Sequence, residues 1–126
     1  MKLDVFPLEG YIYQGSVKSI PVVVRLSSIE IIEIAEKIDL REIVLLQGDD
    51  PVFGGYIRSG LGWEKDTITI SPDKPHHKMY DICNYEDSDL LPGKYDVNIA
   101  LQVYRYEHGK RAETVDLQAK CELLIN

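Results

Sequence analysis

Apolar and polar residues alternate strictly over the last third of the chain. Tyr95, Val97, Ile99, Leu101 and Val103 occupy every second position, with Asp96, Asn98, Ala100 and Gln102 between them. A period of two puts the first set on one side of a pleated backbone, so the segment predicts a strand with one buried face. Glu107-His108-Gly109-Lys110 follows as a turn whose glycine is free to adopt positive φ. A second run, Val115, Leu117, Ala119, Cys121, Leu123 and Ile125, is interleaved with Asp116, Gln118, Lys120, Glu122 and Leu124. Together the two runs predict one long antiparallel hairpin.

Shorter strands are predicted upstream at residues 2–6, 20–26, 39–47, 67–70 and 78–83. The Val22-Val23-Val24 run suits a strand covered on both faces. Residues 39–47 carry Ile43-Val44-Leu45-Leu46 and end at Gly48-Asp49-Asp50-Pro51, a strong turn signal. Residues 27–38 carry two patterns at once. Ile31, Ile34, Ala35 and Ile38 keep helical spacing behind a Ser27-x-x-Glu30 capping box, whereas Ile29-Glu30-Ile31 alternates. The reading favours a strand over 29–34 with a short helix as the alternative. Residues 48–63 hold Gly48, Gly54, Gly55, Gly60 and Gly62 and are read as one long irregular loop, a kind of segment that often carries function. Roughly six to eight short strands separated by Gly, Pro and Asp turns predict an all-β fold. The expected architecture is an immunoglobulin-like, two-sheet antiparallel β-sandwich forming a single domain over residues 1–126.

The stretch Leu90-Leu91-Pro92-Gly93-Lys94-Tyr95-Asp96-Val97 resembles the start of strand F in immunoglobulin-like and fibronectin-type sandwiches. There a tyrosine hydroxyl bonds back to the upstream backbone as a tyrosine corner. Paired cysteines around a central tryptophan, as in antibody domains, are missing. A narrower resemblance is to bacterial intracellular proteinase-inhibitor-like β-sandwiches. The matching pieces are residues 15–26 with Ser27-Ser28, then Tyr80-Asp81-Ile82, Tyr85, and residues 92–97. These are fold signals, and the resemblance implies an inhibitor role by analogy.

Charge narrows the partners. The 126 residues include 21 acidic and 14 basic side chains, a net charge of -7. Phosphate recognition needs a concentrated positive surface, so nucleic acid and anionic membrane surfaces are not expected partners. Another protein, with a basic surface, is. The two cysteines, Cys83 and Cys121, do not make a disulfide framework. The first residues, Met1 to Pro7, contain a charge at Asp4 and lack the apolar core of a secretion signal, so a cytoplasmic protein is expected.

Candidate chemistry is sparse. His76 and His77 are adjacent and would point to opposite faces of a strand, a poor geometry for one ion. Asn84-Tyr85-Glu86-Asp87-Ser88-Asp89 lacks the alternating oxygen pattern of a calcium loop and reads as a solvated acidic edge that could meet a basic partner. Gly60-Leu61-Gly62 is no nucleotide fingerprint, and Cys83 has no histidine nearby in sequence. Phe53, Tyr56 and Trp63 punctuate the glycine-rich segment beside Asp49, Asp50 and Arg58, and exposed aromatics with arginine are the composition of interaction hot spots. The expectation is a non-enzymatic protein-binding domain, of inhibitor or immunity type, without cofactor or metal. Its binding residues would be Asp49, Asp50, Phe53, Tyr56, Arg58, Trp63, Glu86 and Asp87. Two alternatives stand beside it. One is a carbohydrate or small-ligand module using Tyr56, Trp63, Tyr104 and Tyr106 as a stacking platform, with Tyr104 and Tyr106 exposed. The other is a structural subunit of a larger assembly.

Overall fold

The computed structural model describes residues 1–16, 19–48, 50–54, 56–58, 66–83 and 89–126, with 50–54, 56–58 and 83 described by backbone placement. Among the described residues the chain is strand and turn, without helix: β1 (Lys2–Pro7), β2 (Ser19–Ser27), β3 (Ile32–Ala35), β4 (Asp39–Gln47), β5 (Asp50–Gly54), β6 (Tyr56–Arg58), β7 (Thr67–Ile70), β8 (His76–Cys83), β9 (Gly93–Glu107) and β10 (Lys110–Ile125). They form two antiparallel sheets, one ordered β1-β2-β8-β6 and the other β5-β4-β9-β3-β7, with β10 on the free side of β9. The all-β, two-sheet sandwich expected from the sequence is what the chain forms.

The hairpin of β9 and β10 is the spine. Tyr95 stands opposite Leu123, Ile99 opposite Ala119 and Val103 opposite Val115. His108 and Gly109 both have positive φ, 52° and 75°. Two left-handed residues between paired strands make the tight turn whose twist matches theirs. A bulge between Arg111 and Glu113 adjusts the register just past it. On its other side β9 is flanked by two segments in line, β4 against residues 96–102 and β3 against Tyr106 and Arg105.

The inward residues of β9, Val97, Ile99, Leu101 and Val103, are almost fully enclosed. They meet Val22, Val24 and Leu26 of β2 and Leu3 and Val5 of β1 within one continuous core. Alternation on each strand and a facing sheet are the two halves of the same arrangement.

The corner predicted around Pro92-Gly93 forms. Tyr95 is buried and its hydroxyl donates to the Leu91 carbonyl at 2.6 Å. A second buried tyrosine closes the same region. The Tyr13 hydroxyl accepts from the Leu8 N–H at 2.9 Å and donates to the Pro21 carbonyl. Pro21 is tolerated in β2 because β1 stops pairing one residue earlier, at Pro7 opposite Val22, and a side chain takes over from the strand. At the start of β2, the Asp81 carboxylate accepts from Ser19 Oγ at 2.7 Å and from the Ile20 N–H at 3.1 Å, tying β2 to β8.

Three expectations need correction. The strand expected over 29–34 begins later, at Ile32. Ile29 and Ile31 are 96% and 75% exposed, while Ile32 and Ile34 are buried against the core. Instead of a helix cap, Ser28 Oγ accepts from the Glu30 N–H at 3.2 Å in a local turn. The Val22-Val23-Val24 run is fully covered on one face and partly covered on the other, where Val23 is half-buried. Residues 48–63 are not one loop, because β5 and β6 lie within them. β5 pairs with β4 across a register shift between Leu45 and Leu46, and β6 pairs with β8 in the opposite sheet. Glycines and Pro51 concealed these short strands, whose lengths are too small for a period of two to show.

Candidate functional site

The sequence placed the binding site on loops at one end of the sandwich. The backbone puts Asp50 and Phe53 on β5, opposite Gln47 and Leu45, and Tyr56 and Arg58 on β6, opposite Cys83 and Asp81. β5 and β6 are edge strands of different sheets, on the margin away from β1 and β10. These four residues therefore belong to strand margins rather than to a loop end. Asp49, Trp63, Glu86 and Asp87 lie outside the described residues.

The aromatic platform changes as well. Tyr104 and Tyr106 share the face opposite Val103, but both are half-buried rather than exposed. The Arg111 guanidinium lies 3.9 Å above the Tyr104 ring, and the Tyr104 hydroxyl donates to Asp39 Oδ2. That hydrogen bond holds the Tyr104 hydroxyl above its ordinary pKa. A ring face already stacked by an arginine is not free for a sugar.

The opposite margin is formed by β10 and β1. β10 is 16 residues long, and among the described residues the strand that pairs with it is β9. The far side of β10 is met by the chain at its very end, where Tyr13 bridges Ile125 and Asn126 bonds with Tyr13 and Gly15. From Glu113 to Leu124 no strand among the described residues pairs with that side. An antiparallel edge strand turns the N–H and C=O of every second residue outward, so this stretch presents a row of unpaired backbone groups.

Burial along β10 is graded. Leu123 and Ile125 are buried, whereas Val115, Leu117, Ala119 and Cys121 on the same inner face are half-buried. The cause is the facing element: β1, the edge of the other sheet, lies against β10 but is only six residues long. An incompletely covered apolar seam therefore runs beside the open backbone edge. Near its C-terminal end Ile12 and Leu124 add two outward apolar side chains, 66% and 59% exposed.

The outer face of β10 is polar and carries both signs, with Asp116, Gln118, Lys120 and Glu122 in sequence. Asp116 Oδ1 accepts from Gln102 Nε2 at 3.1 Å, and Gln102 Oε1 accepts from Arg41. At the turn end Arg105 is held among Glu113 at 3.2 Å, Glu30 at 3.7 Å and Glu107 at 3.8 Å. Lys120 and Glu122 make no ion pair among the described residues.

Two further shifted groups have structural explanations. Cys121 is a free thiol whose burial, aided by Asp96, pushes its pKa up to about 11. It carries almost no thiolate near neutrality and is a packing residue. His76 is lowered by burial, with Lys78 and His77 adding to the effect, so it stays neutral at physiological pH.

The alternating run at 115–125 announced the strand in sequence but not its position at an edge. The signal within reach was the spacing of Asp116, Lys120 and Glu122, charges of the kind that natural edge strands carry.

No protein-family model matches the chain, and no curated protein matches it in sequence. Among solved structures it is similar to the CooA pilin subunit from enterotoxigenic Escherichia coli, at 12% identity and a TM-score of 0.43, over 100% of this chain and 99% of that one. The proteinase-inhibitor-like resemblance gains no counterpart from these comparisons, and what stands of it is the two-sheet antiparallel sandwich with its tyrosine corner.

Proposed function

We propose that this domain is a non-enzymatic protein-binding subunit, a structural component that joins other chains by accepting an extended strand along β10. The binding class is the one expected from the sequence, and its surface moves from the loops of residues 48–63 to the sheet edge. One observation supports the reading above the others: among the described residues no strand pairs with the outer backbone side of residues 113–124 of this 16-residue strand, next to a half-covered apolar seam. Strand addition draws affinity from backbone hydrogen bonds and specificity from alternate side chains, and β10 offers both.

The test blocks the edge without disturbing the sandwich. Of two adjacent residues on β10, one directs its N–H to β9 and the other directs it outward. Proline at Gln118 or at Ala119 is therefore tolerated at one of the two positions and damaging at the other. The variant that melts like the wild type is expected to lose the partner chains that co-purify with the wild type from its native host. Retention of the same partners by that folded variant would remove β10 from the account.

A further inference from the structure

The geometry points to a second copy of this chain as an occupant of the β10 edge, paired antiparallel across a two-fold axis at Gln118. This inference rests on the edge reading above and names its partner. Register selects the arrangement. When two copies of a strand pair antiparallel about a perpendicular two-fold, residue i faces residue j with i + j constant, and like faces meet. Each possible axis position therefore fixes which outer side chains oppose each other.

Centring on Gln118 places Asp116 opposite Lys120 of the second copy, and Lys120 opposite its Asp116. Thr114 then faces Glu122, and the two Gln118 amides meet on the axis, where each can donate to the other. Moving the axis one residue either way loses this. An axis at Leu117 opposes Asp116 with Gln118 and Lys120 with Thr114, leaving no opposite-charge pair. An axis at Ala119 opposes Asp116 with Glu122 twice. Axes at Asp116 and Lys120 set those residues against themselves. Opposite charges directly across a strand pair stabilise it and like charges destabilise it, so among these positions the Gln118 register is selected. Edge charges that deter indiscriminate strand addition thus admit one arrangement of the chain with itself.

The inner face agrees with this choice. In the Gln118 register Leu117 lies beside Ala119 of the second copy and Val115 beside its Cys121. The half-buried seam of each copy is then covered by the same seam of the other. Pairing of about ten residues per strand lies at the small end of specific interfaces, which places the dissociation constant in roughly the micromolar range or weaker. The equilibrium belongs in a concentration series rather than in a single dilute measurement.

Sedimentation equilibrium of the full chain over such a series is expected to show a reversible monomer–dimer equilibrium. Asp116→Lys and Lys120→Asp should each weaken it by roughly tenfold or more, since each sets like charges opposite one another at two places. The double variant should restore it, a recovery that a merely structural defect would not give. Gln118→Cys under mild oxidation should yield a dimer linked through the introduced thiol to its own copy. Thr114→Cys, whose position faces Glu122, should not self-link. A chain that stays monomeric throughout, a dimer indifferent to either charge change, or self-linking at position 114 in place of 118 would overturn the inference. The proline test separates its failure from failure of the edge reading. If the chain is monomeric but the folded proline variant loses a different protein, the edge docks that protein and not a second copy.

Discussion

Leu101→Ala is expected to lower the free energy of unfolding by about 3–4 kcal/mol, the cost of removing a buried branched side chain together with the cavity it leaves. Leu101 is 1% exposed and lies on the inner face of β9, with Leu40 of β4 on one side and Leu117 of β10 on the other. It thus joins three strands of the larger sheet and faces the core shared with the smaller one. Paired strands on both flanks leave the backbone little freedom to collapse into the space, which puts the loss toward the upper part of the usual range. Urea denaturation followed by far-ultraviolet circular dichroism measures it, and the melting temperature should fall by about 10 °C or more. A loss under about 1 kcal/mol would mean that the site is not close-packed and that the two sheets do not meet there.

Gly15→Ala is expected to cost about 2–4 kcal/mol although it adds a single methyl group. A Cβ at this position would lie 1.8 Å from the Leu90 carbonyl oxygen, which is backbone and has no rotamer to change. Gly15 is also held by two backbone hydrogen bonds, its N–H donating to Asn126 O at 3.4 Å and its carbonyl accepting from the Leu90 N–H at 3.0 Å. Relieving the collision moves the 13–16 segment away from Leu90, stretching both bonds and the support under the Tyr95 corner. Gly10→Ala is the control. Gly10 has open space around it but a φ of 76°, so the same substitution there costs only conformational strain, about 1 kcal/mol. Equal losses at the two positions would show that the approach of Leu90 to Gly15 is not a fixed feature of the fold.

The elements legible in the sequence were those whose local pattern and tertiary environment agree. Residues 39–47 became β4 without adjustment, and residues 67–70 became β7. The alternation at 95–103 and 115–125 identified the hairpin and its inner face, and the Pro92-Gly93-x-Tyr95 corner formed as the resemblance implied. The pattern failed where two periods competed. Ile29 and Ile31 fit a strand and Ile31 and Ile34 fit a helix, and the decision came from which isoleucines the opposite sheet could cover. It failed again in residues 48–63, where strands of five and three residues separated by glycines offer no period to count.

The site was less legible than the fold for a related reason. A period of two tells which face of a strand is buried, but not whether a neighbour pairs with its edge. β9 and β10 alternate alike in sequence, yet β9 lies between β4 and β10 while, among the described residues, β10 has β9 as its strand partner. Composition drew the site toward Phe53, Tyr56 and Trp63 because hot spots are usually aromatic. Strand addition instead recruits backbone groups, which every residue carries and no composition reveals.

Amide hydrogen exchange resolved along β10 tests most directly whether this edge is where the chain docks. In the dilute protein, every second amide between residues 114 and 122 should exchange rapidly, while the interleaved amides bonded to β9 remain protected. In the associated protein the rapid set should become slow, and the margins at β5 and β7 should not change. Uniform protection of β10 in the dilute chain would show that its edge is already covered. A rapid set that stays rapid in the assembled protein would place the contact elsewhere, and either result would contradict the account.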